Sequence, residues 1–276
     1  MVNQLKRART RRSSRRYTSK ERRREGSAAE LSYWEATRSP YASLMLVFPL
    51  LIVYEVGCVA LGSAEHPSLR TGADIWLRGL LSYFGFDSAW LLPSSVVCIL
   101  IGWQILAGRR RRSEPTILLA MILESVVLAV ALVGASRLVD LAGNYLESSS
   151  TRLLAVDNSV DPRVTAATTF LGFLGAGVYE EFLFRLLLVP SLFQGLRLVR
   201  MPYFVASAVA VATSGLFFSL AHHAGIPGEP FTWFAFVFRW FAGLAFAWIF
   251  VIRGFGIAVG THTTYDVLVG WLGWHF

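Results

Sequence analysis

Long apolar runs separated by short polar stretches make up most of the chain beyond its basic N-terminal segment. Crossing about 30 Å of hydrocarbon takes about 20 consecutive, mostly apolar helical residues, and windows of that length recur to the end of the sequence. We predict an all-α protein, a polytopic membrane helix bundle with about seven transmembrane helices. The predicted spans are residues 41–62, 88–108, 115–136, 165–189, 203–223, 231–251 and 255–274.

The connecting segments are not uniformly polar. Residues 68–86 and 190–199 mix apolar with charged or polar residues, so both can form helices that lie in the membrane interface. For residues 190–199, a plain loop is an equal alternative.

The overall composition agrees with a membrane protein. Hydrophobic residues make up 54% of the chain and charged residues only 16%, whereas about a quarter of the residues in an ordinary soluble domain are charged. Cys58 and Cys98 both lie inside predicted spans and lack the spacing of a metal site. We interpret them as small apolar residues.

The net charge of +8 is concentrated at the N-terminus. Residues 1–38 hold twelve Lys or Arg against four Glu, and the remainder holds fourteen basic and fourteen acidic residues. This segment lacks the periodic apolar residues of a core, so we predict a disordered polybasic tail. Basic flanks are typical of the cytoplasmic side of a membrane, and we expect this tail to contact anionic lipid rather than nucleic acid.

Two adjacent carboxylates and an arginine interrupt the fourth predicted span. Glu180, Glu181 and Arg185 lie in an otherwise apolar segment, where an ionisable side chain costs roughly 3 kcal/mol on insertion scales and is tolerated mainly where it pairs or lines a cavity. Neighbours in a helix point about 100° apart, whereas residues four apart share a face. We therefore predict an ion pair between Glu181 and Arg185, which leaves Glu180 facing another direction.

Two later spans contain polar groups with the same spacing. Phe218 and His222 share one helix face, and His262 and Asp266 share another. Each group alone has a structural interpretation, but their occurrence on three separate apolar spans favours a common site. The predicted site residues are Glu180, Glu181, Arg185, His222, His262 and Asp266.

These residues resemble the motifs of the CPBP family of intramembrane proteases, which includes the CAAX prenyl endopeptidases and bacterial Abi-type proteins. Glu180, Glu181 and Arg185 match the first motif, Phe218 with His222 the second, and His262 with Asp266 the third, in the same order. The resemblance covers residues 164–274. It implies a catalytic membrane core over residues 161–276, preceded by N-terminal transmembrane helices over residues 39–160 and by the tail.

The resemblance also implies a mechanism, that of a CAAX-type intramembrane endopeptidase that uses a glutamate and no cofactor. Glu180 would be the general base that activates water, and His222 would position that water. His262 and Asp266 would stabilise the oxyanion, and because an ionised Asp266 repels an oxyanion, we expect it to orient His262 through a hydrogen bond. The implied partners are a membrane-associated protein or peptide substrate and the lipid bilayer, and the implied location is the bacterial inner membrane.

Three alternatives remain open at this point. Glu180, His222 and His262 have the donor types of a zinc site, although the helical His-Glu-x-x-His signature is absent. A non-proteolytic binding or immunity protein can share the scaffold, but the presence of all three motifs favours an enzyme. A small ion- or proton-coupled transporter would use the same side chains as an ion path, but the paired broken helices of inverted repeats are missing.

The depths of the site residues are a difficulty for a shared site. Simple alternation of the spans puts Glu180 near the middle of the bilayer, His222 near the outer end of its span and His262 nearer the inner end of its own. A shift in helix ends, a tilt or a broken helix is needed to bring the three together.

Overall fold

The chain folds as a succession of helices joined by short connections. The computed structural model describes residues 33–62, 69–107, 115–144, 162–224 and 230–271. The chain divides into two units, residues 1–35 and residues 36–276, each with most of its contacts within itself. In chain order the elements are α1 (Tyr33–Thr37), α2 (Pro40–Leu61), α3 (Gly72–Tyr83), α4 (Leu91–Leu106), α5 (Pro115–Asn144), α6 (Pro162–Gly175), two π-helical segments (Ala176–Glu180 and Phe182–Leu188), α7 (Val189–Leu198), α8 (Tyr203–His223), α9 (Trp233–Arg253) and α10 (Phe255–Trp271).

No strand occurs in the part of the chain that the structure describes, and the predicted all-α fold is confirmed. Most of the predicted basic tail, residues 1–32, lies outside the described residues. The division into a tail, N-terminal helices and a catalytic core stays a prediction.

Within the described residues, four helices are long and apolar enough to cross a membrane: α2, residues 115–138 of α5, α8 and α9. Their outward faces are apolar, with Val127 67% exposed and Trp248 61% exposed, as expected for side chains that contact lipid. The predicted polytopic bundle is thus confirmed, and the chain is an integral membrane protein. For the other three predicted spans, which correspond to α4, the helix around Glu180 and α10, crossing stays a prediction.

The helix that contains Glu180 is longer than the span predicted over residues 165–189. It begins at Pro162, passes through both π-helical segments and continues as α7 to Leu198. Residues 190–199, for which helix and loop were equal alternatives, are therefore almost entirely helical. π-Helices are rare overall and occur frequently at functional sites. Here Glu180 ends the first π-helical segment, and Glu181 lies between the two.

We call the continuous helix from Pro162 to Leu198 the long helix. The core of the bundle forms where α2, α4, the long helix and α10 meet. Apolar side chains from these elements are almost completely buried against one another, and α5 packs along α10 on the other side. The members include Val47, Leu51, Val96, Leu100, Leu174, Val178, Phe182, Phe255 and Val259.

A single glycine connects α9 to α10. Gly254 has φ +92°, in the left-handed region that side chains rarely adopt, and an added Cβ would lie 3.1 Å from the Cα of Arg38. At the end of α9, Arg253 forms a bidentate ion pair with Glu124 of α5. Because the connection is so short, residues at equal distances from Gly254 on α9 and α10 lie at the same level.

Replacing Gly243 by alanine tests the contact between α8 and α9. The added Cβ would lie 2.9 Å from the Cα of Gly215 and 3.0 Å from its carbonyl oxygen, so the helices must separate. We expect a loss of about 1–3 kcal/mol in unfolding free energy, measured as a lower melting temperature in detergent micelles.

The matched control for this variant is Gly79→Ala in α3. An added Cβ there meets nothing within 4 Å, and alanine favours helix over glycine, so the melting temperature should stay or rise. Equal melting temperatures for Gly243→Ala and the unmodified chain would contradict the close α8–α9 contact.

Candidate active site

Glu181 lies between the two π-helical segments, and its carboxylate is completely buried. One oxygen, Oε1, accepts a hydrogen bond from Nδ1 of His262 at 2.8 Å. The other, Oε2, lies 3.1 Å from Nε of Arg185. The predicted Glu181–Arg185 ion pair is therefore confirmed, and the same carboxylate also binds an imidazole of α10.

Arg185 is fully buried beside Glu181 and contacts two further helices. Its guanidinium carbon lies 4.5 Å from the centre of the Phe218 ring of α8, a cation–π distance. Its Nη2 donates to the carbonyl of Gly243 in α9 at 3.3 Å. Arg185 therefore joins α8 and α9 to the long helix.

The two histidines of the predicted site point the same ring nitrogen at Glu180. Nδ1 of His222 lies 2.8 Å from the carbonyl oxygen of Phe218. Because a carbonyl only accepts, we assign the proton of neutral His222 to Nδ1, which leaves Nε2 as an acceptor. Nδ1 of His262 is bonded to Glu181, so its Nε2 is likewise directed away from that bond.

Glu180 lies at the centre of this arrangement. Its Oε2 is 3.8 Å from Nε2 of His222 and 3.9 Å from Nε2 of His262. Both distances exceed a direct hydrogen bond, and Oε2 makes none to the residues that the structure describes. The side chain of Glu180 is 13% exposed, in contrast to the completely buried Glu181.

Asp266 also lies in the site, but it approaches Nε2 of His262 and not Nδ1, the nitrogen whose hydrogen bond orients the ring. Its Oδ2 lies 3.5 Å from Nε2 of His262, whereas the hydrogen bond that orients the imidazole runs from Nδ1 to Glu181. The reason is geometric, since Nδ1 faces the long helix and Asp266 lies one turn farther along α10. All six predicted site residues are thus brought together.

The mismatch in depth disappears because the long helix ends at Leu198. Along the helix axes, Glu180 lies ~27 Å before Leu198, and His222 lies ~29 Å after Tyr203, where α8 begins. Since α8 runs back along the long helix, the two residues meet at one level. Phe246 and His262 likewise lie at equal distances from Gly254, and their rings stack at 4.4 Å.

Phe246 is a site residue that sequence reasoning missed. Its ring lies nearly parallel to that of His262, at 15°, and its centre is 5.7 Å from the Arg185 guanidinium carbon. No sequence signal separates it from the other aromatic residues of α9. His223, by contrast, packs against Phe231 at 5.2 Å, as expected for a residue outside the site.

A second group of charges, also missed, lies on the other side of Tyr179. We call it the Glu55 cluster: Glu55, Arg70, Asp74 and Arg78, with the hydroxyl groups of Tyr54 and Tyr179. Two signals for it were available. Glu55 is a charge inside the first predicted span, and the arginines flank Asp74 at helical spacing.

Glu180 lies farther from His222 and His262 than two ligands of one zinc ion lie from each other. Two tetrahedral zinc ligands at about 2.0–2.1 Å from the metal lie roughly 3.4 Å apart, and the distances from Glu180 to the two imidazoles are larger. Among the described residues, no group of three or more His, Cys, Asp or Glu side chains is arranged to hold a metal ion.

Residues 162–268 match the family model described as type II CAAX prenyl endopeptidase Rce1-like. Residues 162–268 therefore form a domain of the CPBP family of intramembrane proteases. The match includes all six predicted site residues, and the Glu55 cluster lies outside it except for Tyr179. The chain matches no curated protein and no solved structure.

Replacing Arg185 by methionine tests the buried ion pair. This change leaves Glu181 without its charge partner in an apolar environment, and breaking a buried pair in this way costs about 3–5 kcal/mol. We expect a corresponding loss in unfolding free energy, measured by denaturant titration in micelles. The double variant Glu181→Gln/Arg185→Met removes both charges and should recover most of that loss.

If the double variant is no more stable than Arg185→Met alone, the two charges do not act as a pair. A matched control is Arg197→Met, because Arg197 is an exposed residue of α7 whose Nη1 donates to the carbonyl of Met201. We expect a change within about 0.5 kcal/mol there.

Proposed function

We propose that this CPBP protein is an intramembrane endopeptidase that hydrolyses a peptide bond in a membrane-associated protein or peptide, with Glu180 as the general base. One observation carries the proposal: Oε2 of Glu180 is within 4 Å of two imidazole Nε2 atoms. The adjacent Glu181 is already bound to Arg185 and His262. Only Glu180 of the pair is therefore available for proton transfer.

Glu180 and His222 can orient the attacking water together. Both groups present acceptor atoms, so a water molecule donates one hydrogen to Glu180 and the other to His222. The lone pair of the water oxygen then points at the substrate carbonyl. As the new C–O bond forms, Glu180 takes the first proton, and it later delivers that proton to the amine as the C–N bond breaks.

His262 is the donor to the oxyanion in this mechanism. Its Nδ1 hydrogen is committed to Glu181, so donation from Nε2 requires the imidazolium form. Glu181 lies beside Nδ1 of the ring and Asp266 beside Nε2. Their negative charges stabilise the imidazolium form. Losing one such donor typically costs about 3–4 kcal/mol of transition-state stabilisation.

The substrate class follows from where the site lies. His222 is on α8, whose outward face is apolar, so we expect the scissile bond to reach the site from within or beside the bilayer. The family description names a prenyl endopeptidase, but prenylation is not required, and bacterial peptides, lipoproteins or sorting signals suit the site equally. We propose the bacterial inner membrane as the location of the chain and a cytoplasmic N-terminus, and the basic tail supports this orientation.

The variant Glu180→Gln tests the general base. We expect it to reduce the cleavage rate about 10²–10⁴-fold, because the amide cannot take a proton. The measurement compares new protein termini in host membranes that contain the unmodified chain or Glu180→Gln at equal level. The same membranes then provide the substrate for rate measurements.

Two histidine variants make a matched pair for this experiment. His222→Gln should lose most of the activity, whereas His223→Gln, next in sequence but packed against Phe231, should keep it. If new termini appear equally with Glu180→Gln, or with neither chain, the catalytic assignment is wrong. A chain that still complements a deletion phenotype without any cleavage would act by binding or transport.

Removing metal ions tests the zinc alternative. If Glu180 activates water directly, exhaustive chelation followed by assay of the purified chain should leave the cleavage rate unchanged within about twofold. Activity that disappears and returns with added Zn²⁺ would assign Glu180, His222 and His262 as ligands instead. Restoration by Zn²⁺, but not by Mg²⁺, distinguishes this outcome from a general loss of stability.

A further inference from the structure

The Glu55 cluster is a closed set of two carboxylates and two guanidinium groups. Glu55 of α2 and Asp74 of α3 are both buried. Arg78 contacts the first at 2.8 Å and the second at 2.6 Å, and Arg70 contacts them at 3.4 Å and 2.7 Å. Because each charge has two partners of opposite sign, the positions of all four groups are strongly constrained.

Two tyrosines complete the cluster, and they belong to different parts of the fold. Tyr54 of α2 donates to Oδ2 of Asp74 at 2.8 Å. Tyr179 of the long helix donates to Oε1 of Glu55. Both side chains are completely buried, and their rings pack edge to face at 5.5 Å. The Tyr179 hydroxyl thus connects the cluster by a hydrogen bond to the helix that contains the glutamate pair.

Tyr179 lies in the first π-helical segment, directly before Glu180. That segment and the residue directly before it also pack closely against two other helices. An added Cβ at Gly175 would collide with Tyr54, and one at Gly177 would collide with Thr263 of α10. Because π-helical turns are rarely stable by themselves, their persistence here depends on such contacts with neighbouring helices.

The register of this segment decides which glutamate faces which partner. A slip of one residue rotates a helix by about 100°, which would turn Glu180 towards the position of Glu181 and remove it from His222. The hydrogen bond to Glu55 fixes the direction of the Tyr179 side chain. Tyr179 directly precedes the glutamate pair, and its partner lies outside the site.

We propose that Tyr179 and Glu55 are positioning residues, whose hydrogen bond holds the π-helical segment in the register that directs Glu180 at His222 and His262. The effect on catalysis rests on the proposed function, but the effect on register does not. Glu55 lies outside the residues that match the family model, so the N-terminal helices would take part in arranging the site.

Chemical crosslinking measures the register without any substrate. In a chain with Cys58 and Cys98 replaced by alanine, the pair Glu180→Cys and His222→Cys is treated with a short bifunctional methanethiosulfonate. Their side chains approach within 3.8 Å in the native chain, so we expect rapid crosslinking. Adding Tyr179→Phe should lower the crosslinking rate about five- to tenfold, the size expected for loss of one typical intramolecular hydrogen bond.

Tyr54→Phe is the matched control. It removes the same hydroxyl group from the same cluster and keeps an equally buried ring, but that hydroxyl bonds Asp74 and the backbone N–H of Thr71 rather than a residue of the π-helical segment. We expect similar falls in melting temperature for both variants, and an unchanged crosslinking rate only for Tyr54→Phe. A difference between them cannot then come from stability alone.

Kinetics test the catalytic consequence on a peptide identified from the new termini. Tyr179→Phe should lower kcat about tenfold or more with KM unchanged within about twofold, because Glu180 is misdirected while the substrate still binds. Glu55→Gln should lower kcat similarly, and the double variant should be no worse than the poorer single variant. Tyr54→Phe should keep kcat within about twofold.

The proposal is overturned if Tyr179→Phe crosslinks as fast as the unmodified pair, or if Tyr54→Phe slows crosslinking equally. Additive falls in kcat for Tyr179→Phe and Glu55→Gln would also overturn it. If the unmodified chain cleaves nothing, the proposed function fails, and the crosslinking rates still decide whether Tyr179 sets the register.

Discussion

The buried carboxylate of Glu181 is the interaction on which the rest of the site depends. It pairs with Arg185 and accepts the Nδ1 hydrogen of His262, so neither charge is left alone in an apolar interior, where that would cost several kcal/mol. Arg185 in turn contacts Phe218 and Gly243. Four helical elements therefore meet around one ion pair, and Glu180 is left to face the two imidazoles.

The local helix geometry explains how two adjacent glutamates take different roles. In a π-helical stretch the backbone is wider than in an α-helix, and its neighbours must accommodate it. Gly177 permits this on one side, because any side chain there would collide with Thr263. On the other side the hydroxyl of Tyr179 reaches Glu55. Glu181 is buried between these contacts, whereas Glu180 keeps a partly exposed side chain.

Much of this was predictable from residues taken a few at a time. The all-α membrane fold follows from apolar windows, and the Glu181–Arg185 pair follows from a spacing of four residues. The six site residues follow from three motifs. The end of the long helix did not, because residues 190–199 carry no signal that separates helix from loop, and that end determines whether Glu180 and His222 meet. Phe246 was missed because it is one aromatic residue among many in α9.

The sequence by itself determined the class of the protein, the six candidate site residues and their distribution over three helices, because composition and helical periodicity are local properties of a chain. Only the tertiary structure decided which atoms face each other. Glu181 rather than Asp266 binds Nδ1 of His262, and Glu55 reaches Tyr179 across more than a hundred residues. These pairings depend on helix ends, close approach at glycines and ring orientation, and no spacing within one helix specifies them.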